Sequence, residues 1–525
     1  MRTKKVSISV FQIIISIIII AMLIAGAVIA IKKVKFNQDK NEEPITSFAG
    51  SGTKEEPYQI SKVEDFINLL LDINNGKAYA DKYFVLQTNL NFEEDSSYNN
   101  PNDKNFGDLN NDGKVEELKK ELTTGDGLKL VGKKDLSGKK SVEAVFRGTF
   151  DGNGKAISNI KTKISDEDLK QNVGLFGENK GTILNLRLIA KLEIQYTKEH
   201  STSIGVFAGK NSGTIQKCKA EGEIKINTNL ESETFVAGIA GENTGKILDC
   251  VNETKIEANC TMAGITAKNT KKEDTQDSGV ITNCTNNGNI TKTNNSNTYT
   301  AGLVAINEKG TITNCTNNGN ISGKKVGGII GLSTGGAIAS KNSGKLENLA
   351  EDSDNDEIVG GIVAILESGT IENCKNTGTI EGLTYIGGIV GQNKGVITQS
   401  RNDGQLTKVK KMVADKIYAG GISAYNYSNS RISNSKNYGN TILEQDSVVI
   451  VGGICGYLEN NAFIDYCENN GFITANGKII TPNEDVSLKC TSCVSNGGGK
   501  AGTAENGELY IGLIYGKCPV ENEEE

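Results

Sequence analysis

The chain has 525 residues, with 61 glycines, 5 prolines, 11 cysteines, one histidine, no tryptophan and a formal net charge of −7. So little proline excludes a collagen or a proline-rich linker protein, and a lone histidine, His200, leaves few options for imidazole acid–base or zinc chemistry. The acidic balance repels phosphate backbones and argues against nucleic acid as a partner.

The first element is a run of uncharged, mostly apolar residues from 8 to 31. As an α-helix rising about 1.5 Å per residue, it has the length to cross a hydrocarbon core about 30 Å thick. Arg2, Lys4 and Lys5 precede it, and Lys32, Lys33 and Lys35 follow. The expectation is a single-pass anchor in the cell membrane with an extracellular C-terminal body. The alternative is a cleaved secretory signal, since Ala25-Gly26-Ala27 and Val28-Ile29-Ala30 offer small residues to a signal peptidase. With those six basic residues set aside, the remainder carries −13. The chain divides into the anchor (1–36), a linker (37–50), an N-terminal cap and first coil with an insertion (51–145), a repeat region (146–476) and a C-terminal cap or tail (477–525).

Between Val63 and Ile73, Phe66, Leu69, Leu70 and Ile73 recur at helical spacing and predict a short amphipathic helix. Asp108-Leu-Asn110-Asn-Asp112-Gly113 matches the start of an EF-hand-type calcium loop. The final position of such a loop needs an acidic bidentate ligand, and here it is Lys119. Asp108, Asn110 and Asp112 are therefore a weak calcium candidate, with an Asx-rich turn as the alternative.

Beyond residue 170 the chain repeats itself. A small apolar cassette bounded by glycine recurs around Gly174, Gly205, Gly238, Gly264, Gly302, Gly328, Gly361, Gly388, Gly421 and Gly453. A second half reads like Gly310-Thr-Ile312-Thr-Asn314-Cys315-Thr-Asn317-Asn-Gly319-Asn-Ile321. Its copies align into columns separated by 25 to 35 residues. One column is Cys218, Cys250, Cys284, Cys315, Ser340, Cys374, Ser400, Ser435 and Cys467. Three positions earlier runs an isoleucine column, including Ile312, Ile371 and Ile397, broken at Ala337. Two positions before the turn glycine stand Asn252, Asn286, Asn317, Asn342, Asn376, Asn402, Asn437 and Asn469.

Short β-branched runs between Asn-Gly-type turns cannot form a core alone. If each repeat is one coil of about three strands, identical positions stack about 4.8 Å apart in parallel register. Isoleucine then packs on isoleucine, and asparagine amides bond to those above and below. The prediction is an all-β protein, a parallel β-helix of about ten coils, with the helix after Val63 capping its first open coil. Strict alternation would set Ile312 and Asn314 on one face and Cys315 on the other, so a bend must fall nearby.

The Gly174-Leu175-Phe176-Gly177 cassette, preceded by Phe146-Arg-Gly148-Thr-Phe150-Asp-Gly152-Asn-Gly154, resembles the GLUG-motif repeats of bacterial surface and secreted proteins. Gly50-Ser-Gly52-Thr-Lys-Glu-Glu-Pro-Tyr58-Gln-Ile60 looks like the start of such a solenoid, and the resemblance spans roughly residues 50–475. It implies a β-helical solenoid outside the cytoplasm. Some proteins bearing this motif carry a zinc peptidase domain, whose His-Glu-x-x-His cannot be written with one histidine.

A column of single cysteines cannot wrap a tetrahedral ion, so Cys218, Cys250, Cys284, Cys315, Cys374 and Cys467 read as buried thiols in a ladder. Cys490, Cys493 and Cys518 read as a disulfide-bearing C-terminal cap, with half a zinc site as the alternative. No aspartate column marks a catalytic centre. The expected function is a non-enzymatic cell-surface repeat protein, an adhesin or recognition and spacer module, without a cofactor. Its partner would be a host protein or a glycan. The alternative is a polysaccharide-binding or polysaccharide-cleaving β-helix. Binding is expected in the outer loops 193–203, 270–277, 347–357 and 408–416, the last carrying Lys408, Lys410, Lys411 and Lys416.

Overall fold

A computed structural model describes residues 48–92 and 144–475, apart from 166–171, 198–200, 229–232, 274, 276–277, 295, 350–355, 410–413 and 444–447. At 123–124, 127–128 and beyond 475, only the backbone of short strands is described. The chain from Phe48 onward forms one compact unit.

That unit winds as stacked coils. One coil runs through Tyr385–Gly387, Val390–Asn393, Val396–Thr398, Arg401–Asn402 and Leu406–Lys408, then returns at Lys416–Gly420. Tyr418 there stands in parallel register with Tyr385. The coil thus has five short strands, where the repeat length alone suggested three. The extra breaks fall at residues that bend the chain sharply. Apart from the antiparallel pair at 123–124 and 127–128, the strands pair in parallel with their equivalents in neighbouring coils. Among the described residues these pairings join 43 strands into one continuous surface and 12 into a second, smaller sheet.

The isoleucine column is the spine of the core. It reads Phe84, Phe150, Ile183, Ile215, Ile247, Ile281, Ile312, Ile338, Ile371, Ile397, Ile432 and Ile464, in register throughout. All of these side chains are buried. The backbone of Cys490 continues the column past Ile464. The stack is therefore taller than the repeat count suggests. In the coils of Phe84 and Phe150 the place of the asparagine column is taken by Leu90 and Ile157.

Two details correct the sequence alignment. The column does not break at Ala337, which is exposed; Ile338 takes the inward place opposite Ile312. The bend between the isoleucine and cysteine columns is a single left-handed residue. It is Asn185, Lys217, Asp249, Asn283, Asn314, Asn373, Gln399, Asn434 or Tyr466, each with φ between 47° and 56°. That residue flips the alternation, so both Ile312 and Cys315 face inward. The coil at Ile338-Ala339-Ser340 lacks it, and the register steps over Asn314.

Helix α1 (Val63–Asn74) lies beneath the first coils. Phe66, Leu69, Leu70 and Ile73 are fully buried. The Phe66 ring lies 6.0 Å from Phe150 and 6.3 Å from Phe92. Asp65 accepts from the backbone N–H groups of Ser61 and Lys62 at 2.9 and 3.1 Å, tying the chain into the first turn. α1 covers apolar surface that an end coil would otherwise expose. Among the described residues no helix is long and apolar enough to cross a membrane, and residues 8–31 lie outside them.

Candidate functional site

The polar side chains inside the solenoid serve its backbone. Asn252 donates Nδ2–H to Asn286 Oδ1, and the same bond repeats through Asn317, Asn342, Asn376, Asn402, Asn437 and Asn469 at 2.7–2.9 Å. Each amide also closes its own corner. Asn402 Nδ2 donates to Gly404 O at 3.0 Å, and Gly404 N donates back to Asn402 Oδ1 at 3.1 Å. A second ladder at a different corner was missed by the sequence reading. Asn179, Asn211, Asn243, Asn269 and Asn307 are linked at 2.8–2.9 Å. Its signal was present as Asn-Lys-Gly181, Asn-Ser-Gly213 and Asn-Thr-Gly245. Leu366 interrupts it and Leu458 ends it, leaving the buried Asn426 Nδ2 without an acceptor.

The cysteine column is equally structural. Cys315 Sγ donates to Thr313 O and Ile281 O at 3.2 and 3.8 Å, and accepts from Cys284 N at 3.4 Å. Ser400 Oγ makes equivalent bonds to Thr398 O and from Cys374 N. A thiol and a hydroxyl supply the same donor and acceptor here, which is why serine replaces cysteine in the column. Burial pushes Cys374 up to about 12 and Cys467 up to about 11. Asp108, Asn110, Asp112, Cys493 and Cys518 lie outside the described residues, and Cys490 is described by its backbone alone. The candidate binding loops each contain residues outside the described set.

Outside the solenoid, the angle between the two sheets is concave, and two outward columns face each other across it. The first is Tyr299, Lys325, Ile358, Tyr385, Tyr418 and Ile450. The second is Ile306, Leu332, Ile365, Gln392, Tyr425 and Tyr457. Glycine floors the angle because nothing larger fits. A Cβ on Gly391 would sit 2.4 Å from Ile358 Cγ2, and one on Gly331 2.8 Å from Tyr299 Cβ. Ile358, Ala364 and Ile365 form a cluster of their own, packed against Tyr299, Leu332 and Tyr385 and separate from the interior core.

The tyrosines form two stacks along the solenoid axis. Tyr385 and Tyr418 are parallel within 5° at 5.1 Å, and Tyr425 and Tyr457 within 22° at 4.8 Å. The stacks meet edge to face, with Tyr418 5.4 Å from Tyr425. Tyr427 lies 4.6 Å from Tyr425, and Lys394 Nζ sits 5.0 Å from its ring centroid. Burial raises the pKa of Tyr385, Tyr418 and Tyr425, and pushes Tyr427 up to about 12. Their hydroxyls therefore stay protonated at neutral pH. In the earlier coils the second column reads Glu178, Lys210, Glu242 and Lys268, so the same angle is charged there. The aromatic stretch was legible in principle. Tyr385 and Tyr418 stand three residues before Gly388 and Gly421, and Tyr425 and Tyr457 four residues after Gly421 and Gly453.

These features define a β-helical repeat protein whose interior is laddered and whose exterior, among the described residues, carries an aromatic groove. A family model described as the GLUG motif matches residues 355–381. That stretch contains the cassette strand Ile358–Gly360, the ladder residue Asn376 and the core residue Ile380. No curated protein matches the chain. Among solved structures, the chain is similar to a "putative immunoglobulin A1 protease" from Bacteroides ovatus, at 15% identity over 86% of each chain. The TM-score is 0.22, and that likeness carries no argument.

Proposed function

We propose that this chain is a non-enzymatic repeat protein of the cell surface, held by residues 8–31 and displaying a rigid β-helix for recognition. The observation that carries the reading is the aromatic groove: tyrosines concentrated on one outward angle of a scaffold whose backbone is locked by ladders. Tyrosine offers a large amphipathic contact at low conformational cost, as binding surfaces require. The carboxylates beside the groove are already engaged. Glu367 pairs with Lys394 at 2.8 Å, and Glu459 accepts from Tyr425 Oη and from Ser428 N and Oγ, each at 2.9 Å. This favours binding over hydrolysis, which needs a carboxyl free to move a proton. Lys394 also sits over Tyr427, so the groove wall is stiffened from outside.

The test displays the full chain on cells and probes a C-terminal tag from outside. Cells are then screened for adhesion to glycan and matrix-protein surfaces, with released sugars assayed in parallel. Tag exposure with saturable adhesion is expected. A tag reached only after permeabilisation sinks the surface reading, and released sugar sinks the non-enzymatic one.

A further inference from the structure

We propose that the tyrosine groove binds a neutral glycan chain laid along the solenoid axis, an inference that rests on the recognition reading above. The columns set the direction. Equivalent side chains recur once per coil, about 4.8 Å apart, so the surface is periodic along the axis and suits an extended polymer. Ring orientation sets the chemistry. Tyr385 stacks on Tyr418 and Tyr425 on Tyr457 along the axis, so the ring faces are spent on one another. What the stacks leave uncovered is ring edge, while the Tyr425 hydroxyl is engaged by Glu459. A row of electropositive C–H edges beside neutral polar groups complements the ether and hydroxyl oxygens of a sugar chain better than the continuous apolar face of a helix.

Charge narrows the class further. Two of the charge pairs beside the rings are closed within the protein, Glu367 with Lys394 at 2.8 Å and Lys325 with Asp356 at 2.8 Å, and Lys416 lies 5.8 Å from the ring centroid of Tyr418. Glu459 is held by Tyr425 and Ser428. The single positive charge of Lys416 and the single negative charge of Glu459 cancel, so an ionic polymer finds no net charge of either sign here, whereas a neutral polyol needs none. Without open ring faces each sugar unit binds weakly, so affinity must accumulate with chain length.

The protein reports on this groove directly, because its 15 tyrosines are its fluorophores in the absence of tryptophan. The full chain in detergent is titrated with neutral gluco-, manno- and galacto-oligosaccharides of increasing length, with polygalacturonate and gelatin as charged and polypeptide probes. The expected result is a saturable change in tyrosine emission for a neutral series, strengthening with length and insensitive to salt. The Tyr418→Ala/Tyr425→Ala variant should lose at least about tenfold in affinity. Tyr418→Phe/Tyr425→Phe, which keeps the stacks and guards against misfolding, should lose less. No response to any neutral series overturns the ligand class. If gelatin or polygalacturonate binds instead and the Ala variant abolishes it, recognition through the groove stands and the glycan assignment alone falls. Glycan binding unchanged in the Ala variant overturns the groove as its site.

Discussion

An asparagine inside this solenoid works harder than one in an ordinary turn. Asn317 accepts from Asn286 and donates to Asn342 and Gly319, so removing it orphans polar groups in two neighbouring coils. Asn317→Ala is expected to cost about 2–4 kcal/mol in chemical denaturation, since each buried group left unpaired costs about 1–3 kcal/mol. Asn317→Asp should carry a distinctive pH signature. A carboxyl in that buried column is raised above its unfolded value, so the variant is most stable at acid pH and weakens as pH rises through the folded pKa. A denaturation midpoint that rises with pH would contradict the ladder. The thiols make a second prediction. Eight of the 11 cysteines are buried thiols outside any disulfide, and burial holds Cys374 and Cys467 near 12 and 11. Native protein should therefore expose no more than Cys490, Cys493 and Cys518 to Ellman's reagent at mildly alkaline pH, and all thiols after denaturation and reduction. Cys315→Ser should leave stability nearly unchanged, because Ser400 and Ser435 already fill that column with both bonds made. A loss of several kcal/mol in that variant would show that sulfur packing, not donor and acceptor geometry, sets the column.

At the level of the element, one backbone conformation decides whether a coil closes. Asn314 at φ 52° reverses the side-chain alternation between Thr313 and Cys315, and its amide bonds Asn283 Oδ1 at 2.7 Å. Asn314→Gly keeps the conformation and loses only that exposed bond, so its thermal midpoint should barely move. Asn314→Val meets the β-branched penalty in the left-handed region, about 1–2 kcal/mol or more, and should unfold clearly earlier. Equal midpoints for the two variants would show that the bend is not held by this residue. The coil at Ile338 reaches the same inward placement by omitting the residue altogether.

Across the whole molecule, the coil exterior is laced by ion pairs between layers. Arg187 meets Glu221 at 2.7 Å, and Lys219 reaches Glu221 and Glu253 at 3.0 and 2.9 Å. The hydrogen bonds from Arg187, aided by Lys219 and opposed by partial burial, hold Glu221 down to about 2 from 4.5. A depressed carboxyl stabilises the fold above its unfolded pKa and loses that contribution as pH falls through the folded one. Because the site is largely exposed, its share is only about 0.5–1 kcal/mol. Glu221→Gln should therefore be slightly less stable than the parent at neutral pH and equal to it near the folded pKa, in urea titrations. An unchanged difference across that range would remove the pair from the stability account. With the in-register column running from Phe84 to Cys490, about 4.8 Å per coil makes a rod roughly 60 Å tall.

Much of this protein was determined by sequence alone, because a β-solenoid writes each interior position once per coil. The isoleucine, cysteine and asparagine columns were legible as periodic identities, and Phe66, Leu69, Leu70 and Ile73 announced α1. What tertiary structure decided is where periodicity is broken or carried by unlike residues. Ile338 takes the place that spacing assigned to Ala337, since a one-residue deletion at the bend is invisible until the register is known. Phe84 and Phe150 join the spine in coils where Leu90 and Ile157 stand in place of the ladder asparagine. The groove needed the fold most of all. Tyr385, Tyr418, Tyr425 and Tyr457 sit on four strands of two different sheets, and only the concave angle at the glycine corner brings their rings within about 6 Å. Contact across such an angle depends on the direction of side chains from two sheets, which no one-dimensional spacing records.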